Sequence, residues 1–436
     1  MLRMKATKIV RRLRDGGHEA VFAGGCVRDR LLGIPPKDYD IATSATPDEV
    51  ELLFEKTVAV GRRFGILIVP LDGDDFQVAT FRTDGAYLDG RHPESVQFTS
   101  SVEDAARRDF TINALFEDPI ADAVIDHHHG RADIEAGIVR AVGDPEARFA
   151  EDRLRMIRAV RFAARFGFDI EPATLEAVRG AAEFISEVSA ERLSDELTKI
   201  LTQGNVRMAF QLMDETGLLE HVLPEIDAMK GVDQSVDYHP EGDVFVHTLL
   251  CLHQLKIDCS PTLALGVLLH DIAKPITAEI RDGKHTFYGH TNIGADMAEE
   301  ICRRLRMSNT VIDRVRFLVD QHLRHTAAAD MKASTLKRFL RQDGIDELLE
   351  LARIDAASSS GDLTHYEFCL RKLDELPEEV VRPPRLVTGR DLIALGMEPG
   401  PTFKNILTEI EDAQLEGRLA TRDEALAYVR ENYSPK

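Results

Sequence analysis

The segment Asp38-Tyr39-Asp40 places two carboxylates one residue apart. Together with the IATS segment that follows, it has the composition of a strand, in which side chains two residues apart point to the same face. Two adjacent carboxylates repel each other unless a cation compensates, and Mg²⁺ prefers oxygen ligands from carboxylates and substrate phosphates. We therefore predict that Asp38 and Asp40 are catalytic metal ligands, at which a hydroxyl nucleophile is activated and a leaving pyrophosphate is neutralised. For this tripeptide alone, the alternative is a solvated strand end.

A glycine pair, Gly24-Gly25, lies upstream between a strand pattern and a helical pattern that begins near Val27. A turn at the N-terminus of a helix presents free backbone N–H groups, which can bind phosphate oxygens. Arg28, one turn into the helix, can donate charged hydrogen bonds to the same phosphates. The pair alone is equally compatible with an ordinary turn, but its position before the two aspartates favours a nucleotide-binding site.

The segment RRDFTINAL (107–115) carries groups suited to a nucleotide. Arg108 can bind phosphate, Asp109 can accept hydrogen bonds from ribose hydroxyls, and Asn113 can donate or accept. The alternative is a surface cluster of ion pairs, which contributes little to stability.

A helical pattern follows in EDRLRMIRAVRFAARFGF (151–168). Asp152 and Arg155 are one helical turn apart and are predicted to lie on nearly one face, where acceptor and donor can pair with the edge of a cytosine or an adenine. Arg158, Arg161 and Arg165 continue along the helix and are expected to bind triphosphate or the RNA backbone. A solvated basic face is the alternative for these arginines.

A second group of residues has the order H…HD…D: His247, His270-Asp271 and Asp355. Imidazole nitrogens and carboxylate oxygens suit a divalent transition metal such as Mn²⁺, Ni²⁺ or Zn²⁺. His270 and Asp271 end an apolar helical pattern, where a buried carboxylate needs compensation. We predict a metal site at these four residues.

Three neighbours extend this second group. Lys274 is expected to orient a phosphate or to pair with Asp271. His290 and His322 are candidates for a second metal or for phosphate binding. The run 127–129, three histidines, is interpreted instead as a solvated loop or strand end.

The elements that must position these residues change character near residue 145. EAVFAG, ILIVPL, FQVATF and VQFTS predict short strands among helices before it, whereas helical periodicity dominates after it. Breaks are predicted at 143–148, 229–243 and 376–386. The predicted fold class is α+β, in four parts: a mixed lobe at 1–145, a helical neck and body at 146–235, a helical metal-binding domain at 236–375 and a helical tail at 376–436.

Length and composition limit the class of protein. The chain has 436 residues, 44% of them hydrophobic, which supports several folded domains and excludes an intrinsically disordered chain. A net charge of −21 argues against a general nucleic-acid coat protein. The apolar runs fall short of the roughly 18 residues of a spanning helix, and the basic N-terminus lacks the apolar core of a secretory signal. Five cysteines without CxxC spacing favour the cytoplasm; no oligomeric state is indicated.

Five motifs in one order resemble the class II tRNA nucleotidyltransferase and bacterial poly(A) polymerase family, within the polymerase-β-like nucleotidyltransferase superfamily. They are GGCVRDRLLG with DYDIAT, ATFRTDGAYLDGRHPESVQF, RRDFTINAL, EDRLRMIRAVRFAARFGF and ERLSDELTKIL (191–201). The resemblance implies addition of CMP and AMP from CTP and ATP to the 3′ end of tRNA, with Mg²⁺ at Asp38 and Asp40. It also implies that Asp152 and Arg155 select the base without a nucleic-acid template. The H…HD…D pattern resembles the all-helical HD phosphohydrolase superfamily, which implies an accessory phosphohydrolase activity.

Two features bear on how far the resemblance extends. Gln77 stands where family members often carry a glutamate. The loop from Asp84 to Pro93 resembles the one that CCA-adding members need for the switch to ATP, which argues against a CC-only enzyme.

Two other functions are weighed against CCA addition. Poly(A) addition would use the same active site with a different choice of RNA. Alternatively, the HD domain would carry the activity as an RNA-end phosphohydrolase, with the N-terminal lobe only binding RNA. The presence of Arg28, Asp38 and Asp40 favours an active transferase, because a lobe that only binds RNA need not keep metal ligands.

Overall fold

The computed structural model describes residues 1–85, 96–235, 239–376 and 383–433. The chain divides into two compact units, Met1–Asp227 and Ala228–Lys436. The predicted loop 84–93 lies outside the described residues from 86 onward, as do 236–238 and 377–382 of the two predicted linkers. None of the helices among the described residues combines the length and the apolar character needed to cross a bilayer.

The first unit contains a seven-stranded mixed sheet in the order β3-β4-β5-β2-β1-β8-β9, in which only β2 and β5 are parallel. Its strands are β1 Ala20–Ala23, β2 Ile41–Thr43, β3 Val58–Gly61, β4 Ile66–Leu71, β5 Asp74–Thr80, β8 Leu115–Asp118 and β9 Ala123–Asp126. Two short ladders lie outside it: β6 Arg82–Asp84 with β7 Val96–Phe98, and β10 Ile138–Val139 with β11 Asp169–Ile170.

Both faces of the sheet are covered, because successive side chains of the central strands enter two separate cores. Phe22 and Ile41 pack with Ile9 and Leu13 of the first helix on one side. Val21 and Ala42 pack with Phe116 and other residues on the opposite side. This burial explains why the sequences of the central strands are almost wholly apolar.

The first helices of this unit pack around the sheet. Beyond residue 145 the unit is mainly helical, as the sequence predicts. The helices are α1 Leu2–Asp15, α2 Gly25–Leu31, α3 Pro47–Leu53, α4 Ser101–Ala106, α5 Gly130–Ala136, α6 Pro145–Glu151, α7 Leu154–Phe166, α8 Pro172–Ala181, α9 Ala190–Gln203, α10 Val206–Glu215, α11 Leu218–Val222 and α12 Pro224–Asp227. A 3-10 turn, Thr111–Asn113, precedes β8.

Among its described residues, the second unit is helical apart from one small hairpin, β12 Glu279–Arg281 with β13 Lys284–Thr286. Its helices are α13 Val244–His253, α14 Pro261–Leu269, α15 Lys274–Thr277, α16 His290–Arg304, α17 Asn309–Gln321, α18 Ala333–Leu340, α19 Ile345–Ser358, α20 Thr364–Glu375, α21 Gly389–Ala394, α22 Pro401–Leu415 and α23 Arg422–Tyr433. The last three helices share an apolar cluster that includes Leu392, Ile406 and Val429. The α+β class is confirmed, whereas the four-part division stays a prediction.

Candidate functional site

Asp38 and Asp40 lie in the loop that leads into β2, so the prediction that the strand includes them is wrong: the strand begins at Ile41. The loop is anchored because Ala23 N donates to the carbonyl oxygen of Asp40 at 3.0 Å. Asp38 is exposed and Asp40 is half-buried. Burial, and after it the negative charge of Asp38, raises the pKa of the Asp40 carboxyl to about 6, although Arg108 opposes the shift. Two oxygen donors whose repulsion the protein leaves largely uncompensated fit a hard divalent cation.

The glycine turn holds α2 against the sheet. Gly24 has φ 70°, and its N–H donates to the carbonyl oxygen of Leu115 at 2.9 Å. A Cβ at Gly24 would lie 2.8 Å from Nη1 of Arg108, so both the backbone conformation and the space require glycine. The helix begins at Gly25, two residues earlier than predicted.

Arg28 is buried, and its guanidinium is held by protein groups. Nε donates to Oδ1 of Asp29 at 2.8 Å, and Nη1 donates to Oδ1 of Asn113. The guanidinium carbon lies 5.0 Å and 4.8 Å from the ring centroids of Phe162 and Phe166 on α7. Phosphate binding by Arg28, Gly24 or Gly25 stays a prediction.

Asp104 is a residue that the sequence reasoning missed. Its carboxylate is buried and accepts hydrogen bonds from Arg107 Nη2 at 2.7 Å and Arg108 Nη2 at 3.0 Å. Burial alone would raise the pKa of Asp104, but the charges of Arg108 and Arg107 lower it below its ordinary value. Arg107 and Arg108 follow Asp104 by three and four residues, a spacing that predicts ion pairs on one face of a helix. Asp104 therefore fixes Arg108, which also donates to Asn113 O at 3.2 Å.

The Asp109 carboxylate is held by four hydrogen bonds from the protein. Its Oδ1 accepts from Phe110 N at 2.8 Å and from Asn113 Nδ2 at 3.0 Å, and its Oδ2 accepts from Arg158 Nε at 2.9 Å and from Arg158 Nη2. The structure thus brings the predicted ribose-reading residues together with α7. Contact with ribose itself stays a prediction.

The structure does not leave the basic helix as a free surface. Each of the five arginines from Arg153 to Arg165 forms an ion pair with a carboxylate from outside that stretch. The pairs are Arg153–Glu187, Arg155–Glu151, Arg158–Asp109, Arg161–Glu196 and Arg165–Asp29. Glu196, which is buried on α9, is a second residue that sequence reasoning missed. The arginines are therefore fixed in place before any phosphate arrives.

Asp152 and Arg155 do not share one continuous helix, so that part of the prediction is wrong. α6 ends at Glu151 and α7 begins at Leu154, with Asp152 in the break between them. The physical reason is local capping, because Asp152 Oδ1 accepts from Leu154 N at 3.1 Å. Oδ2 of Asp152 accepts from Arg192 Nη2 at 2.7 Å, and Arg155 Nη1 donates to Glu151 Oε2 at 2.8 Å. Each predicted base-reading group is thus oriented by a separate partner.

Gln77, which stands where the resemblance leads one to expect glutamate, is exposed on β5. Its neighbour Val78 pairs with Ile41 at the start of β2. Gln77 therefore lies at the same end of the sheet as Asp40, but it adds no negative charge there.

In the second unit, the predicted H…HD…D residues and two further histidines come together. We call this set the histidine cluster; its members are His247, His270, Asp271, His290, His322 and Asp355. His247 is on α13, His270-Asp271 follows α14, His290 starts α16, His322 follows α17 and Asp355 is on α19. All four imidazoles are buried.

The imidazoles of the histidine cluster share one orientation. In three of them, Nδ1 lies within hydrogen-bond distance of the backbone carbonyl oxygen three residues earlier. The distances are 2.9 Å for His270, 2.7 Å for His290 and 2.7 Å for His322. In His247, Nδ1 lies 2.7 Å from Oε1 of Glu241. The backbone carbonyls can only accept, so in His270, His290 and His322 the proton lies on Nδ1 and Nε2 keeps its lone pair.

The Nε2 atoms and carboxylates meet at short distances. His247 Nε2 lies 3.1 Å from Asp355 Oδ1, and His270 Nε2 lies 3.2 Å from Asp271 Oδ2. Despite this, His270 Nε2 is buried without a hydrogen bond of acceptable geometry. Burial, and after it the charge of His270, lowers the pKa of His322 to about 3, which keeps that ring neutral. Buried imidazole nitrogens that face buried carboxylates fit a divalent metal.

Lys274 pairs with Asp271, which was one of its two predicted roles. Its Nζ lies 2.6 Å from Asp271 Oδ2 and also donates to Gln234 Oε1. An ionised carboxylate has about four lone-pair positions, so this contact leaves Asp271 able to bind a metal. The histidines 127–129 follow β9 and are half-buried or exposed, in keeping with a loop at a strand end.

Three neighbours of the histidine cluster were missed from the sequence. Cys251 Sγ lies 3.4 Å from His247 Nε2, and the four-residue spacing on α13 was a signal for it. Glu241 contacts both His247 and His239, whose Nδ1 lies 2.9 Å from Oε1. Glu241 and His239 precede α13 in irregular backbone, so no helical spacing pointed to them.

Three family profiles match successive parts of the chain. The Poly A polymerase head domain matches residues 20–140, the RNA- and SrmB-binding site of polymerase A matches 167–230, and tRNA nucleotidyltransferase domain 2 matches 285–429. The first two correspond to the sheet and to the helices that follow α7. The third includes His290, His322 and Asp355 but not the remainder of the histidine cluster.

Relatives with assigned names are similar over different lengths. The chain is 46% identical to the CCA-adding enzyme of Geobacillus thermodenitrificans over 49% of this chain and 53% of that enzyme, so this match spans about half of its length. It is 32% identical to the CCA-adding enzyme of Lactobacillus helveticus over 97% of this chain and 95% of that enzyme. The crystal structure of the Bacillus stearothermophilus CCA-adding enzyme in complex with CTP has a TM-score of 0.73 at 29% identity, over 98% of this chain and 96% of that one.

The full-length similarity and the arrangement of the first unit agree. A carboxylate pair precedes a central strand and a glycine turn precedes α2. The arginine-rich helix α7 contacts the RRDF segment through the ion pair of Arg158 with Asp109. The chain belongs to the family of CCA-adding enzymes.

Proposed function

We propose that this chain adds CMP and AMP from CTP and ATP to the 3′ end of tRNA, without a nucleic-acid template. The observation that carries the proposal is the similarity to a CCA-adding enzyme over 97% of the chain, combined with an intact Asp38 and Asp40 pair. A CCA-adding relative in complex with CTP has the same fold across nearly the whole chain. The paired acids and the buried arginine framework support an active transferase rather than a relic.

In the proposed reaction, the 3′ oxygen of the RNA forms a bond to the α-phosphorus of the nucleotide, and the bond to pyrophosphate breaks. The proton of the 3′ hydroxyl passes to solvent. Asp38 and Asp40 would hold Mg²⁺. Its positive charge would favour deprotonation of the 3′ hydroxyl and offset the negative charge of the leaving pyrophosphate. Arg108, which donates a hydrogen bond to Asp104, would bind the triphosphate.

Base selection is assigned to Asp152 and Arg155. Arg155 is buried and held by Glu151, and Asp152 is held by Arg192. A carboxylate and a guanidinium fixed on separate supports offer a base an acceptor and donors in a defined geometry. Replacing either partner by alanine should change the ratio of CTP to ATP use, or admit UTP or GTP, more than it changes metal affinity.

The test uses tRNA transcripts that end before C, CC or CCA, each incubated with one labelled triphosphate. The wild type should restore CCA and stop. Asp38→Asn and Asp40→Asn should abolish incorporation, while Asp75→Asn, an exposed acid on β5, should not change it. Incorporation by both variants at the wild-type rate would refute the transferase assignment, and long adenosine tails on any RNA would favour poly(A) addition.

A second candidate function is favoured by one observation, the shared orientation of the imidazoles in the histidine cluster. We propose that the cluster holds a divalent metal at His247, His270, Asp271 and Asp355, and hydrolyses a phosphoester at a damaged RNA end. With water, a 3′-phosphate would yield inorganic phosphate and a 3′ hydroxyl, which is the group that nucleotide addition requires. Lys274, which pairs with Asp271, would orient that phosphate.

The test for this activity uses RNAs that end in a 2′,3′-cyclic phosphate or a 3′-phosphate, with Mg²⁺, Mn²⁺ or Ni²⁺. Asp271→Ala should lose hydrolysis and keep nucleotide addition. If the wild type hydrolyses neither ester with any of these metals, the second unit lacks the proposed activity.

We place the chain in the cytoplasm. All five cysteines are free thiols. Burial raises the pKa of Cys26 and of Cys302 to about 12, which keeps these thiols protonated and unreactive. A reducing compartment suits a chain with five free thiols, four of which are buried.

A further inference from the structure

Cys251 places its sulfur beside the histidine cluster. It is on α13, one helical turn after His247, and is fully buried. Its Sγ lies 3.4 Å from Nε2 of His247, the same nitrogen that lies 3.1 Å from Oδ1 of Asp355. One imidazole nitrogen therefore faces both a carboxylate oxygen and a thiol, and each of these groups is a kind of metal ligand.

Four side chains, that of Cys251 included, bring their ligand atoms to one place. One atom from each of them lies within 4.8 Å of the atoms of the other three; the residues are His247, Cys251, His270 and Asp355. A sulfur about 2.3 Å and a nitrogen about 2.0–2.1 Å from one ion are about 3.1 Å apart at a right angle and about 3.6 Å apart at the tetrahedral angle. The 3.4 Å between Sγ and His247 Nε2 lies within that range.

His270 gives an independent indication of an ion at this place. Its side chain is fully buried, and Nδ1 lies 2.9 Å from the carbonyl oxygen of Val267. Within the described part of the chain, Nε2 forms no hydrogen bond of acceptable geometry, although it lies 4.0 Å from Asp355 Oδ1. A buried polar atom without a partner is costly. A divalent cation bound by Nε2, the carboxylate and the sulfur would remove this cost.

The surroundings of Cys251 differ from those of a cysteine that serves packing alone. A buried cysteine commonly acts as a small apolar group. Cys302 on α16 fits that description, since burial raises the pKa of its thiol to about 12. The sulfur of Cys251 instead faces an imidazole that is held from its other side, because Glu241 Oε1 lies 2.7 Å from His247 Nδ1. A ring fixed in this way directs Nε2 at the sulfur and at Asp355.

We propose that Cys251 is a thiolate ligand of the metal ion in the histidine cluster, in addition to the two histidines and two aspartates proposed above. The thiol releases its proton to solvent when its sulfur binds the ion. This inference rests on the proposed metal-dependent activity of the second unit and concerns which ion that site takes. A thiolate is a soft ligand, so nitrogen, oxygen and sulfur ligands together favour Zn²⁺ or Co²⁺ over Mg²⁺ and Mn²⁺.

The experiment uses Co²⁺ as a spectroscopic probe on the full-length chain. The Asp38→Asn/Asp40→Asn double variant is the background, because it removes the other predicted metal site. The protein is stripped with a chelator, kept reduced and titrated with Co²⁺ in the absence of oxygen. A thiolate bound to Co²⁺ gives a charge-transfer band in the near ultraviolet, which nitrogen and oxygen ligands do not give. We expect this band to grow with the first ion bound per chain and then to stop.

Cys251→Ser should abolish the charge-transfer band, while Co²⁺ still binds through the nitrogen and oxygen ligands. Its affinity for Zn²⁺ should fall at least about 10-fold, and its affinity for Mn²⁺ should change less. The controls are Cys302→Ala, at a second buried cysteine of the same unit, and Cys259→Ser, at a half-buried one. Both controls should keep the band, and circular dichroism checks that each variant is folded.

The outcomes separate thiolate ligation from the activity on which it rests. Co²⁺ that binds without a charge-transfer band, or a band that persists in Cys251→Ser, would overturn the role of Cys251 and leave the metal site intact. X-ray absorption of the Zn²⁺-loaded background protein needs no cysteine variant: a sulfur at about 2.3 Å supports the proposal, and a shell of nitrogen and oxygen alone overturns it. A chain that binds no Co²⁺, Zn²⁺ or Mn²⁺ would overturn both the ligand and the metal site.

Discussion

Arg158 donates two hydrogen bonds to one oxygen of Asp109, from Nε at 2.9 Å and from Nη2. Asp109 is buried and Arg158 is half-buried, and the contact joins α7 to the segment before the 3-10 turn Thr111–Asn113. The guanidinium thereby sets the direction of the carboxylate that is predicted to read ribose. The pair also lies beside Glu196, whose Oε1 is 3.7 Å from Arg158 Nη1.

Arg158→Lys should weaken recognition of ribose while keeping the charge. Lysine cannot donate in the two-armed geometry of the guanidinium, so Asp109 loses part of its orientation. A hydrogen bond to a charged group contributes about 1.5–3 kcal/mol, which corresponds to roughly a 10- to 100-fold change. We expect kcat/KM for ATP to fall by that factor and the preference over 2′-deoxy-ATP to shrink. An unchanged preference would show that ribose is read elsewhere.

The fold was predictable where local sequence decides it. ILIVPL matches β4 at both ends, because a short, continuous apolar run between turns is typical of a strand with a buried face. The break between α6 and α7 was not predictable. It forms because the Asp152 side chain accepts a hydrogen bond from Leu154 N, and Asp152 does not continue the helix. Helical spacing alone does not decide that competition.

The candidate sites were predictable as residue types but not as networks. Asp109 is 49 residues from Arg158, and Glu196 is 35 residues from Arg161, so only tertiary packing pairs them. Such separations carry no periodic signal in a single sequence. The same holds for the histidine cluster, whose members lie on or beside α13, α14, α16, α17 and α19.

Glu196→Ala should strongly destabilise the first unit. Arg161 is 6% exposed and donates Nε to Glu196 Oε2 at 2.5 Å, so removal of the carboxylate leaves a buried charge without this partner. Such a loss costs about 3–5 kcal/mol. The free energy of unfolding is measured by urea titration. The control is Glu176→Ala, which removes an exposed partner of Arg179 and should cost less than about 1 kcal/mol; equal losses in the two variants would contradict the role of burial.

Asp104 should stabilise the fold in a pH-dependent way. Its buried carboxyl has a pKa below its ordinary value, because Arg108 and Arg107 outweigh the effect of burial. A lowered pKa in the folded state gives stability that is present above the unfolded pKa of about 3.9 and is lost as the pH falls below it. Asp104→Asn should therefore be less stable than the wild type at pH 5–7, and the difference should narrow below about pH 4. Urea titrations at pH 7, 5, 4 and 3.5 measure this difference, and a gap that stays constant to pH 3.5 would contradict the charge pairing.

Gly24→Ala should reduce the rate of nucleotide addition, whereas its loss of stability should be no larger than that of Gly17→Ala. The residue has φ 70°, so any side chain incurs left-handed strain of about 1–2 kcal/mol. The added Cβ would also lie 2.8 Å from Nη1 of Arg108 and would displace the guanidinium whose charge acts on Asp40. Gly17→Ala is the matched control, because Gly17 has φ 87° and a Cβ added there would meet no other atom within 4 Å. Both variants should lose similar stability in urea, whereas only Gly24→Ala should lose nucleotide addition, by about 10-fold or more for a displaced charged donor. Equal activity in the two variants would show that the position of Arg108 does not matter for the reaction.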